Sequence, residues 1–305
     1  MKRIGIFLGI TFFLTWSLAF ALMANGGLTS DYAIFVLSAI MLLPAIGVVA
    51  TRLITKEGFK NFGLKPNFKG NIRYYLAAWF GPALLIALGG LIYFLLFPSQ
   101  FDPTMSQMAE LYAAQGLDLP DDGLLTIMIS QVVLGIFLSP LLNIITTSGE
   151  EIGWRGYLLP KLMEIYSPRL AIVISGIIWG LWHAPVIAMG HNYGTGYPGA
   201  PWGGILAMIC FCLVIGAFFS LLAIRTKSFL PASIAHGSLN GFAAIAIWFT
   251  LGNPSPFIGP SPTGIIGGIG LIVVGILSFI WVGRKNSAVN YQGSATADLK
   301  FNLVE

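Results

Sequence analysis

Eight stretches of the chain run almost without charge, at about 4–23, 32–50, 75–97, 124–146, 170–190, 202–224, 229–250 and 264–282. Each is near the roughly twenty residues that carry a helix across a bilayer at ~1.5 Å per residue. Helices rather than strands follow, because a helix satisfies its own backbone in hydrocarbon. Pro82, Pro140, Pro185 and Pro231 inside these runs are tolerated better there than in soluble helices. The pattern predicts an all-α fold, a polytopic bundle of about eight transmembrane helices. It forms a single membrane domain over 1–285, followed by a polar cytoplasmic tail over 286–305.

Composition agrees. Apolar residues make up 56% of the 305 positions and charged residues 9%, against about a quarter charged in soluble domains. Mean hydropathy is +0.82. The net charge of +4 does not point to nucleic acid, because the cations flank the apolar runs. With the N-terminus inside, all 16 Lys and Arg fall on the cytoplasmic side. The alternate loops 24–31, 98–123, 191–201 and 251–263 carry none, and 98–123 holds Asp102, Glu110, Asp118, Asp121 and Asp122. This segregation predicts both termini in the cytoplasm and residence in the cell membrane. Lys2-Arg3, the first run and the small residues near Ala19 also fit a secretory signal, whose removal would not flip the other helices. The stretch 51–74 mixes cations with Phe59, Phe62, Leu64 and Phe68, which suits either a segment on the anionic leaflet or an ordinary cytoplasmic loop. Cys210 and Cys212 read as lipid- or core-facing thiols.

Charge within such helices costs about 2.5–3.5 kcal/mol per residue and needs a reason. Three places carry polar groups. In Ser148–Tyr157, Glu151 and Arg155 stand four apart, the spacing of a helical ion pair. Glu150 points to another face and is left free to take a proton. In Trp179–Pro185, His183 stands among apolar residues. In Pro231–Asn240, His236 and Asn240 share one helix face. The bland readings are a charged helix end, a structural histidine and polar glue between helices. Together, a free carboxylate, two imidazoles and a carboxamide can hydrolyse an amide: one group deprotonates water, one protonates the amine, and N–H donors hold the oxyanion. His191, in a glycine-rich loop, reads as unimportant for chemistry.

Glu-Glu-x-x-x-Arg at 150–155, aromatic-x-x-x-His at 179–183 and His-x-x-x-Asn at 236–240, in that order, resemble the CPBP membrane proteases. These are the CAAX-type prenyl-protein endopeptidases and their bacteriocin-processing and immunity-associated relatives. The resemblance covers about 124–250, the expected protease core, and Trp179 stands where Phe is commoner. It implies Glu150 as general base, His183 positioning the water, and His236 with Asn240 as oxyanion hole. Glu151 and Arg155 would hold the motif in shape and bind a substrate carboxylate. It implies glutamic proteolysis without a cofactor; the alternative is zinc held by Glu150, His183 and His236. The implied partner is a peptide or protein substrate, lipidated or not, beside the bilayer itself and no nucleic acid. A partner-binding protein of the same fold and a transporter are the rival readings. The complete polar set counts against the first and the lack of a visible repeat against the second. Glu150 lies beyond the nominal end of its run, whereas His183 lies deep in its own. Convergence therefore requires a displaced or tilted fourth helix, or a fifth that starts in the cytoplasm with Ser167-Pro168 as cap. The site is expected to open to the cytoplasmic side.

Overall fold

A computed structural model of the chain describes residues 1–60, 63–117, 120 and 122–282. Phe62, Asp118, Asp121 and the expected tail 286–305 lie outside the described residues. The described chain is helical, with one isolated bridge between Phe101 and Thr250.

Six helices are long and apolar enough to cross a membrane. They include α1 (Lys2–Ala24), α2 (Ala33–Ile54) and α3 (Ile72–Leu96). A short α4 (Ser106–Ala114) follows outside the bundle of spans. The fourth crossing, Gly123–Leu142, combines α5 (Gly123–Val133), a π-helical turn (Leu134–Leu138) and α6 (Ser139–Leu142). After a break at Asn143 it continues as α7 (Ile144–Gly153), a second π-helical turn (Trp154–Leu158) and α8 (Leu159–Met163). The fifth run yields α9 (Pro168–Trp182), 15 residues long, and α10 (Ala184–Ala188). The sixth and seventh give α11 (Trp202–Thr226) and α12 (Leu230–Phe242), and the last gives the shorter α13 (Ile269–Val282). The eight expected runs are thus six long helices and two shorter ones.

Local chemistry explains the shortened fifth helix. Ser167 caps α9 by accepting from the Leu170 amide, with Pro168 at the first helical position, an arrangement that pre-forms a helix start. Pro185 has no N–H for the Leu181 carbonyl and its ring crowds the preceding turn. The helix breaks at His183, whose amide tightens onto Gly180 O at 3.2 Å.

The ends of the helices define two faces. On one, Glu57 meets Lys161 at 2.7 Å and Arg3 at 3.6 Å, Asn67 donates to Thr226 O, and Arg169 donates to Ile280 O. This basic face gathers the start of α1, the end of α2, the starts of α3, α9 and α12, and the ends of α8, α11 and α13. Burial raises the Glu57 carboxyl, but the Lys161 and Tyr157 hydrogen bonds and the charges of Lys161 and Arg3 outweigh it and hold the group below its ordinary value. On the opposite face Asp102 accepts from the Thr104 and Ser106 amides, and Tyr193 stacks on Phe257. No Lys or Arg occurs in the sequence of that face.

Candidate active site

The segment 144–158 does not end at the surface. It threads between α2 and α12 in the middle of the bundle, and glycine allows it. A Cβ on Gly149 would lie 2.6 Å from Met41 O and 2.7 Å from Leu42 Cα, and one on Gly153 2.5 Å from Pro44 Cβ. Small residues four apart let helix backbones approach in this way. The same spacing recurs at Gly176 and Gly180 against α11, where a Gly180 Cβ would meet Ile209 Cα at 2.5 Å, and at Gly237 and Gly241 against α6. All three chemical motifs contain or adjoin such a pair. The spacing is legible in the sequence, although only the polar residues drew attention there.

A polar stripe fixes the register between α6, α7 and α12. Ser139 donates to Gly237 O at 2.9 Å, Asn143 donates to Ser139 Oγ at 2.8 Å, and Thr147 donates to Ser233 O at 3.0 Å. These residues stand four apart, one turn of helix after another. The depth problem is thereby resolved: the fourth segment bends at Asn143 and carries Glu150 back among the other helices. Gly149 is level with Leu42, about 13 Å along α2 from Ala33 by helical rise.

The two adjacent carboxylates part as their spacing suggested. Glu151 is fully buried, 3.0 Å from Arg155 Nη1, and its Oε1 lies 3.0 Å from His236 Nδ1. The Arg155 guanidinium in turn stacks 4.2 Å from the Trp179 ring centroid. Neither Glu151 nor Arg155 lines the cavity, so Arg155 cannot bind a substrate carboxylate there without leaving its pair. Glu150 does line it, and accepts from Trp179 Nε1 at 2.8 Å and from Trp154 Nε1 at 3.4 Å. Trp179 is therefore more than a packing residue: its indole N–H, which Phe would lack, holds the free carboxylate.

The imidazoles have defined donors. A carbonyl only accepts, so the 2.8 Å contact of His183 Nδ1 with Trp179 O puts the proton on Nδ1 and leaves Nε2 as an acceptor in the neutral ring. His236 likewise presents Nδ1–H to Glu151. A neutral His236 then has no Nε2 proton, and only its imidazolium can donate from that nitrogen.

Glu150, His183, His236, Asn240 and Trp179 all line one cavity of about 340 Å³. The exposed Asn240 carboxamide faces it. His191 and Asn192 line it too, which the sequence did not indicate. Burial pushes the His191 imidazole below its ordinary value. Among the described residues, no group of three His, Cys, Asp or Glu side chains is arranged to hold a metal. Cys212 is buried and Cys210 exposed, both as free thiols. The cavity runs from Glu150 toward the loops holding His191 and Thr263, on the face without Lys or Arg.

Fold and site define a multi-pass membrane protein with a carboxylate–imidazole–carboxamide centre inside its helices. Residues 124–242 match the Rce1-like family, described as type II CAAX prenyl endopeptidase Rce1-like. CAAX prenyl protease 2 of Methanococcus maripaludis is 31% identical over 101 residues, 32% of this chain. The matched segment spans only 37% of that protein's length. The resemblance read from the three motifs is borne out over the segment that carries them.

Proposed function

We propose that the protein is an intramembrane endopeptidase of the cell membrane, acting near the C-terminus of membrane-associated or lipidated polypeptides. The observation that carries this reading is Glu150: a buried carboxyl group held by an indole N–H, in one cavity with two imidazoles and a carboxamide. Glu150 takes a proton from water as the oxygen adds to the scissile carbonyl carbon. His183, neutral with Nε2 as acceptor, orients that water. Asn240 and the Glu151-paired imidazolium of His236 donate to the oxyanion. Collapse of the tetrahedral intermediate breaks the C–N bond, and the proton held by Glu150 passes to the departing amine. Arg155 balances Glu151 and so keeps the motif in register.

The test is hydrolysis of farnesylated and unlipidated C-terminal peptides by purified protein, wild type beside Glu150→Gln, with and without a zinc chelator. The expected result is cleavage that survives chelation and is lost in Glu150→Gln. Normal cleavage by that variant would overturn the assignment, and chelator-sensitive cleavage would replace the water activation with a metal-dependent one.

A further inference from the structure

We propose that Thr15 and Trp16, on α1 and outside the matched segment 124–242, are positioning residues for His183 that act through Trp182. The proposal rests on the endopeptidase reading above for the role of His183 in orienting water. The contacts that fix the imidazole stand without it.

α1 is apolar almost throughout, so a hydroxyl turned from it into the bundle stands out. Thr15 is 1% exposed, and its Oγ1 accepts from Trp182 Nε1 at 2.8 Å. The next residue reaches the same partner: Trp16 Nε1 donates to Trp182 O at 3.2 Å. One residue of α9 is thereby gripped at both its ring and its backbone. Trp182 ends α9, where carbonyls run out of intrahelical amides. Its buried indole N–H also needs an acceptor, which hydrocarbon does not supply. Two consecutive residues of α1 meet both needs.

Trp182 in turn limits how the His183 ring can sit. The Nδ1 contact with Trp179 O holds one atom of the imidazole and leaves the ring able to swing about it. The Trp182 ring stands edge-on to the imidazole, with centroids 4.7 Å and planes 84° apart. Trp179 flanks it as well, at 5.8 Å. The direction of Nε2, the nitrogen that would orient water, therefore depends on where the Trp182 ring lies. Trp182 and His183 both line the cavity, whereas among the described residues none from α1 does. Thr15 and Trp16 thus act on the imidazole from outside the cavity, through Trp182.

The same helix backs the carboxyl group. Phe7 packs edge-on against Trp154 with centroids 5.9 Å apart, and Trp154 packs edge-on against Trp182 at 5.7 Å. Trp154 Nε1 donates to Glu150 at 3.4 Å. A chain of aromatic rings thus joins α1 to both groups that would handle the water, and the Thr15 hydroxyl pins its Trp182 end. Misplacing such a group by ~1 Å lowers turnover about a hundredfold.

Three variants test the grip. Thr15→Val keeps the side-chain shape and removes the acceptor, Thr15→Ser keeps the acceptor, and Trp182→Phe keeps a ring and removes the donor. Each would be purified beside wild type. Peptide hydrolysis gives kcat and KM, and nitrogen NMR of labelled histidine gives the ring signals of His183, assigned with His183→Gln. Thr15→Val should lower kcat about ten- to hundredfold with KM unchanged, and Thr15→Ser should restore most of the loss. Trp182→Phe should show a similar fall, to which Thr15→Val adds little, because both remove one bond. The His183 signals should shift in Thr15→Val and Trp182→Phe and return in Thr15→Ser. Unchanged His183 signals in Thr15→Val overturn the proposal, as do normal turnover by that variant and a loss that Thr15→Ser fails to restore. Shifted and restored signals without cleavage by any form, wild type included, would leave the positioning standing and sink the endopeptidase reading.

Discussion

Arg155→Met puts the buried charge pair to a quantitative test. The substitution keeps an unbranched chain beside Trp179 but leaves Glu151, fully buried, with His236 as its remaining partner. Removing one member of a buried pair costs about 3–5 kcal/mol, since the orphaned charge keeps its desolvation penalty. The lost stacking of the guanidinium on Trp179 contributes up to ~2 kcal/mol and is not simply additive. Glu151→Gln/Arg155→Met removes both charges, and the carboxamide that replaces the Glu151 carboxylate can still accept from His236 Nδ1. Replacing a whole buried pair is often neutral or stabilising by about 1–4 kcal/mol, so the double variant should recover a large part of the loss. Unfolding in mixed micelles at rising SDS fraction, followed by tryptophan fluorescence, reads the difference. The reasoning is refuted if Arg155→Met is as stable as wild type, or if the double variant is less stable than the single one.

Trp179→Phe keeps the ring under Arg155 but removes the N–H to Glu150. A hydrogen bond to a charged group is worth about 1.5–3 kcal/mol, so kcat should fall about ten- to hundredfold while the unfolding midpoint barely moves; equal kcat would deny the indole any role in holding the carboxylate. Gly149→Ala should cost about 1–3 kcal/mol, because its Cβ meets α2 backbone at 2.6 Å. Gly81→Ala, with open space around the position, should be neutral or stabilise by up to ~1 kcal/mol, and the two are compared by thermal unfolding in one detergent. The Glu57 carboxyl is held below its ordinary value in the fold, so its contribution to stability is fully present above the unfolded value of about 4.3 and fades as pH falls through the folded value. A pH series of melting temperatures for wild type and Glu57→Gln should therefore differ by a constant amount near neutrality and converge in acid; a gap that widens in acid would contradict the sign.

The spans, the two faces and the separate partners of Glu150 and Glu151 were legible because each rests on local information: apolar length, flanking cations and a four-residue spacing. Convergence of the motifs was not. It depends on a bend at Asn143, on two π-helical turns and on glycine pairs whose partners lie on distant helices. A sequence displays Gly149 and Gly153 but not the α2 backbone that comes to meet them. The indole N–H of Trp179 has meaning only once Glu150 is known to be 2.8 Å away. His191 was set aside as a loop residue, although the loop folds back as a wall.

The break in the fifth crossing carries a consequence for where a proton rests. In an unbroken helix the Trp179 carbonyl would belong to the amide of residue 183. Pro185 spoils that turn, the amide moves to Gly180 O, and the released carbonyl captures the His183 ring instead. One imidazole in the cavity is thus steered by a side-chain carboxyl group and the other by a backbone carbonyl. Closing the helix with Pro185→Ala would return the carbonyl to its amide and free the ring to rotate. The proline two residues along the chain acts as the tautomer selector of a histidine it does not touch through its own side chain.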